Sequence, residues 1–89
     1  MNKRENLFTS ITADLFEIYR KKNHDYGNSF GKTYKRFGLK SSVIRLWDKL
    51  SRLETLLEND NQVDESIDDT LKDMTNYCVM TLVERKLDD

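Results

Sequence analysis

Proline is absent from this 89-residue chain, cysteine and histidine occur once each, and all three glycines fall between Gly27 and Gly38. Nothing therefore obliges a long helix to break, and with glycine confined to one window the sequence reads as long helices joined by a single functional connector. A lone Cys78 excludes an internal disulfide, and Cys78 with His24 supplies too few ligands for a structural zinc site. Lying on the apolar side of its helix, Cys78 reads as a packing residue. No apolar run approaches the roughly 20 residues of a membrane span, and the Met1-Asn-Lys-Arg start lacks the hydrophobic core of a signal peptide. The expectation is a cytoplasmic protein without a membrane partner.

Hydrophobic residues make up 37% of the chain and charged residues 35%. That composition suits one helical domain over residues 1–89, and so small a domain buries a limited share of its surface, which favours a shared core in a homo-oligomer. The net charge of −1 conceals an asymmetry: Arg20 to Arg52 holds ten Lys/Arg against two acids, whereas from Glu54 onward eleven acids face three bases. One half can attract an anion and the other a cation, or the two can attract each other. The slightly negative total argues against duplex nucleic acid as a partner.

Apolar residues at helical spacing predict three long helices. The first runs from about Glu5 to Asn23, with Leu7, Ile11, Leu15, Ile18 and Tyr19 on one stripe. The second starts behind Ser41 or Ser42 as N-cap and runs to about Glu58, with Val43, Leu46, Leu50, Leu53 and Leu57 as its core face and Trp47 at the margin. A polar turn at Asn59-Asp-Asn-Gln62 precedes the third, which begins near Asp64 or Glu65, where Ser66 and Asp69 stand in a capping-box relation. In the connector, Phe30, Tyr34 and Phe37 predict a short helix after Asn28 or Ser29, and these aromatics make either a satellite core or a base-stacking platform. No repeat and no period-2 strand is found.

Two stripes could carry chemistry. On the third helix Glu65, Asp69, Asp73 and Asn76 share one narrow face. That face continues into Met80 and Val83, flanked by Tyr77 and Val79, so a neighbour must roof it and the acids border an interface. On the second helix Arg45, Lys49 and Arg52 recur at i, i+4 and i+7 on the side away from the leucines. A short turn favours antiparallel pairing, which brings these bases toward the acids. Either they form an ion-pair network, or the acids hold a divalent cation while the bases take phosphate oxygens. Magnesium is the fitting cation, because it takes one or two carboxylates with water and substrate phosphates completing its shell. His24, Asp25, Tyr26 and Gly27 follow the run Arg20-Lys21-Lys22. His24 is well placed for the helix dipole and Gly27 for stopping the helix, and this loop's backbone amides can also meet phosphate. No P-loop or dinucleotide glycine signature is present.

Three blocks, Asp25-Tyr-Gly-Asn-Ser-Phe30, Val43-Ile-Arg-Leu-Trp-Asp-Lys-Leu-Ser-Arg-Leu53 and Asp64-Glu-Ser-Ile-Asp-Asp-Thr-Leu-Lys-Asp-Met-Thr-Asn-Tyr77, resemble in their order the nucleotide modification associated domain family of small phage and bacterial proteins. The resemblance extends from Tyr19 to Leu82 and implies a nucleotide-related role. More distantly, the third helix is similar to the second acidic motif of the all-α MazG-like nucleoside triphosphate pyrophosphohydrolases, helical homo-oligomers that hold magnesium on an E-x-x-E and an E-x-x-D helix. Glu65-Ser-Ile-Asp68 matches the second motif in letters, with Asp73 the better positional counterpart of its last acid. The first motif is unmatched, since Asp48 is followed at the required distance by Ser51 and flanked by Arg45 and Arg52.

The sequence thus predicts an all-α helical-bundle homo-oligomer, of three long helices plus a short one, assembling through the third helix. A phosphorylated nucleotide is expected between the second and third helices, its phosphates on Arg45, Lys49 and Arg52, its base or sugar near Asn76 and Tyr77, with His24 and Tyr26 contributing from the loop. Glu65, Asp69 and Asp73 hold magnesium or orient those bases. Three function classes follow: magnesium-dependent pyrophosphate release from a nucleoside triphosphate, with a metal-bound water as nucleophile; sequestration of a nucleotide without turnover, as in a phage anti-defence sponge; and a structural role in which the charge stripes specify helix pairing.

Overall fold

The first helix, α1 (Lys3–Tyr26), begins ahead of its apolar stripe because Asn2 and Glu5 close a capping box: the Glu5 amide donates to Asn2 Oδ1 at 2.9 Å, and the Asn2 amide donates to Glu5 Oε1 at 3.0 Å. It stops at Gly27, whose φ of 67° and ψ of −164° suit glycine almost alone. After Asn28 the chain re-enters a helix as α2 (Ser29–Phe37), then α3 (Leu39–Glu58) and α4 (Asp64–Leu87). The computed structural model describes residues 1–59 and 64–88, apart from the side chains of Tyr26, Asp64 and Glu65. Among the described residues the fold is all-α, without a strand.

Asn28 caps α2 by accepting the Gly31 amide on its side chain at 3.2 Å. The short helix foreseen from Phe30 and Tyr34 is present, and both rings are buried, whereas Phe37 is exposed. Between α2 and α3 stands only Gly38, at φ 73° and ψ −161°, its amide donating to the Tyr34 carbonyl at 2.6 Å. This single-residue turn displaces the expected N-cap. Because α3 starts at Leu39, Ser41 and Ser42 lie inside its first turn; Ser41 Oγ donates to the Gly38 carbonyl at 2.8 Å, and Ser42 is buried. Ser66 likewise lies within α4, where its carbonyl accepts the Thr70 hydroxyl at 2.8 Å, so the Ser66–Asp69 box does not open that helix.

α4 packs against all three other helices, most extensively against α3. Lys49 meets Asp73 and Ser42 meets Thr81, a pairing that runs the two helices antiparallel. The face of α3 turned to α4 keeps only Leu46 and Leu53 of the expected leucine stripe. It is built on Ser42, Arg45, Leu46, Lys49, Leu53 and Leu56, all buried or half-buried, while Val43, Leu50, Leu57 and Trp47 stay exposed. The reason lies in α4, which presents Thr70, Asp73, Tyr77 and Thr81 to its neighbours, groups that require polar partners once covered. Cys78, one residue past Tyr77, is exposed rather than packed. Along α1, Leu15 is buried and Ile18 and Tyr19 half-buried, but Leu7 and Ile11 are exposed. Among the described residues the fully buried apolar side chains are Leu15, Phe30 and Tyr34, and at about 1.5–3 kcal/mol each they supply little against the entropy of ordering four helices.

Candidate functional site

On α3 the half-buried Arg45 lies with its guanidinium carbon 5.3 Å from the centroid of the Phe30 ring and 5.7 Å from that of Tyr77. Those rings are stacked at 6.0 Å with an interplanar angle of 16°. Three elements meet here: α2 brings Phe30, α3 brings Arg45 and α4 brings Tyr77. A guanidinium held against two aromatic rings gains from their π faces and keeps planar N–H groups for an acceptor; one of them reaches Thr33 Oγ1 at 3.4 Å.

One turn of α4 before Tyr77, Asp73 binds two lysines. Its Oδ2 accepts from Lys49 Nζ at 3.0 Å and its Oδ1 from Lys22 Nζ at 3.3 Å. Partial burial pushes the Asp73 pKa up, but the Lys49 hydrogen bond together with the charge and hydrogen bond of Lys22 outweighs it and holds the carboxyl below its ordinary range. Lys22 reaches the site because it lies at i+7 from the buried Leu15, on the stripe by which α1 meets α4. Asn76 fixes the crossing from the other side, donating its amide to the Leu15 carbonyl at 3.2 Å.

These groups surround a cleft of about 180 Å³, lined by Lys22, Asn23, Phe30, Arg45, Asp73, Asn76 and Tyr77, with Tyr19 and Met80 on its apolar wall. Two lysines share the Asp73 carboxylate and Arg45 lines the same cleft, so the cleft favours an anion. Small-molecule pockets commonly run to about 300–1,000 Å³, and a cleft below that range takes one part of a ligand, such as a phosphate group or a single ring, with the remainder outside.

Of the residues singled out in the sequence, the structure brings together Arg45, Asp73, Asn76 and Tyr77 on the cleft, with Lys49 tied to it through Asp73. Arg52, further along α3, and Asp69, one turn before Asp73 on α4, are exposed. His24 is exposed and lies 3.3 Å from Asp25 Oδ1, and neither lines the cleft. The side chains of Tyr26 and Glu65 fall outside the described residues. Among the described residues no three of His, Cys, Asp and Glu converge as a cation cage, and the two oxygens of Asp73 each hold a lysine. Sequence reasoning missed Lys22 and the role of Phe30 beside Arg45. Lys22 was signalled by its register with Leu15 and Tyr19, and Phe30 by the apolar spacing of α2.

Residues 22–84 match the family model described as nucleotide modification associated domain 1. That span takes in each cleft residue named above except Tyr19. No curated protein and no solved structure matches the chain.

Proposed function

We propose, from the premise that the chain belongs to the nucleotide modification associated domain 1 family, that it binds a phosphorylated nucleotide in the cleft between α1, α2, α3 and α4. The observation that carries this reading is the combination of Arg45 against two stacked rings with Lys22 and Lys49 one turn away. Arginine and lysine suit phosphate oxygens, as a planar fork and as a point charge. The aromatic pair suits a base or sugar edge, and Asn76 adds an amide at the same wall.

Binding without turnover is the form this arrangement favours. Pyrophosphohydrolysis of the MazG kind needs carboxylates available to a metal, whereas Asp73 is engaged with Lys22 and Lys49 and Asp48 stands exposed among Arg45, Lys49 and Arg52. Magnesium enters this reading as an ion carried on the ligand's phosphates. A protein of this kind holds a nucleotide out of circulation, which is how a phage would blunt a nucleotide signal of its host.

A panel of nucleoside mono-, di- and triphosphates and cyclic nucleotides, with and without magnesium, tests it by thermal shift, calorimetry and product analysis. Stabilisation with intact ligand recovered, weakened about tenfold or more in Arg45→Ala, is the expected result, since a charged hydrogen bond contributes about 1.5–3 kcal/mol. Turnover lost in Asp73→Ala would establish the hydrolase instead. No shift with any nucleotide would leave the charge groups a helix-pairing role.

A further inference from the structure

The accessible surface of the chain is 7344 Å². A compact monomer of 10.6 kDa exposes about 5,500 Å², so roughly 1,900 Å² is in excess of what its size requires. The radius of gyration agrees, at 14.7 Å against about 12 Å for a compact domain of this length.

Exposed apolar side chains occur on all four helices, and on α3 and α4 some of them line up as stripes. On α3, Val43, Leu50 and Leu57 recur at seven-residue spacing and are exposed; on α4, Leu71, Cys78 and Leu82, at spacings of seven and four, share one face and are exposed as well. With the two helices antiparallel, both stripes fall on the side of the hairpin opposite the Arg45–Asp73 cleft. Residues 1–14 are exposed throughout, and Leu7, Phe8 and Ile11 make the free half of α1 an apolar arm.

We infer that a second copy of this chain covers the outer face of the α3–α4 hairpin, and that the protein folds as a symmetric oligomer through it. The occupant is a copy rather than an unrelated partner for two reasons. Obligate homodimers bury about 2,000–5,000 Å² in total, or 1,000–2,500 Å² per subunit, and a whole-chain excess of roughly 1,900 Å² leaves room for an interface of that size. Among the described residues few apolar side chains are fully buried, so a cover would add substantially to a small core, and a copy is the partner present whenever the chain is made. A two-fold arrangement sets the leucines of one hairpin on those of the other, leaving both clefts open on the outside.

Two native probes sit on the face, the single cysteine Cys78 within it and the single tryptophan Trp47 at its edge. Light scattering on the intact chain at micromolar concentration should give a mass of two or more copies, with a melting temperature that rises with concentration. Alkylation of Cys78 should run at least tenfold slower than in urea-unfolded chain, and Leu82→Arg should lower the mass or abolish folding. A cooperatively folded monomer with a concentration-independent melting temperature would overturn the inference. So would an oligomer in which Cys78 reacts at the unfolded rate, or a chain that stays unfolded until a different protein is added.

Discussion

The hydroxyls of Ser42 and Thr81 lie 2.8 Å apart at the seam of α3 and α4, and both residues are buried. Thr81 Oγ1 is also 2.6 Å from the Tyr77 carbonyl, so its single proton goes there and Ser42 supplies the proton between the two hydroxyls. The pair makes a small polar stitch at a buried point of the α3–α4 seam. It fixes their register one turn away from Arg45 and Tyr77, and thereby the width of the cleft.

Substitutions at Ser42 separate the hydrogen bond from the close approach. Ser42→Ala leaves Thr81 bonded to Tyr77 and is expected to cost about 0.5–1.5 kcal/mol. Ser42→Leu forces the helices apart, with a loss of about 1–3 kcal/mol or more. Urea denaturation of both variants measures the difference. Equal losses would mean that the seam accommodates bulk and that register is set elsewhere.

Asp73 gives the stability an acid limb. Its folded-state pKa lies below the ordinary value, so its stabilising contribution is complete above the unfolded pKa of about 4 and is lost as pH falls through the lower folded value. The side chain is 27% exposed, and solvent screens part of the gain. Melting temperatures of the native chain and Asp73→Asn should differ by a constant amount above about pH 5 and converge at lower pH. Parallel curves throughout would show that the lysines do not act on this carboxyl. On the binding reading, Asp73→Asn also leaves Lys22 and Lys49 without their counter-charge and should tighten the hold on a phosphorylated ligand by about fivefold.

The helical class, the existence of α2 and the start of α4 were all legible, because periodicity and Asn28 are local signals. Which side of α3 meets α4 was not. The apolar spacing of Val43, Leu50 and Leu57 marks a face to be covered, but spacing does not name the neighbour, and within the chain the side carrying Ser42, Arg45 and Lys49 faces α4 instead. Of the acidic stripe, Asp73 is paired with bases on α1 and α3, while Asp69 one turn earlier is exposed. Lys22 shares a stripe with Leu15 and Tyr19, a register the sequence does carry, but its meeting with Asp73 depends on α1 crossing α4 at Leu15 and Asn76, which is a tertiary event.

Gly38 isolates a pure backbone effect. A Cβ there meets nothing within 4 Å, yet φ 73° with ψ −161° lies in a region that side-chain-bearing residues avoid. Gly38→Ala is therefore expected to cost about 1–3 kcal/mol with no steric component, and to lower the melting temperature by about 4–8 °C per kcal/mol in a chain of this size. A neutral result would show that α2 and α3 can join through another turn.

Gly31 and Asn28 form a coupled pair whose sign can be worked out. Alanine at a helical glycine gains about 1 kcal/mol in propensity. Here, however, the new Cβ would fall 2.5 Å from Asn28 Nδ2 and 2.7 Å from its Oδ1, displacing the side chain that accepts the Gly31 amide. Loss of an N-cap costs about 0.5–2 kcal/mol, so Gly31→Ala alone should be nearly neutral. Asn28→Ala alone should show the full capping loss. Once that side chain has gone the clash disappears, and Gly31→Ala added to Asn28→Ala should recover about 1 kcal/mol. A double-mutant cycle by denaturant unfolding then reads a coupling on the order of 1 kcal/mol. Additive effects would mean that Asn28 can swing aside and still cap α2 through another amide, which would release Phe30 from the fixed helix start that sets it against Arg45 and Tyr77.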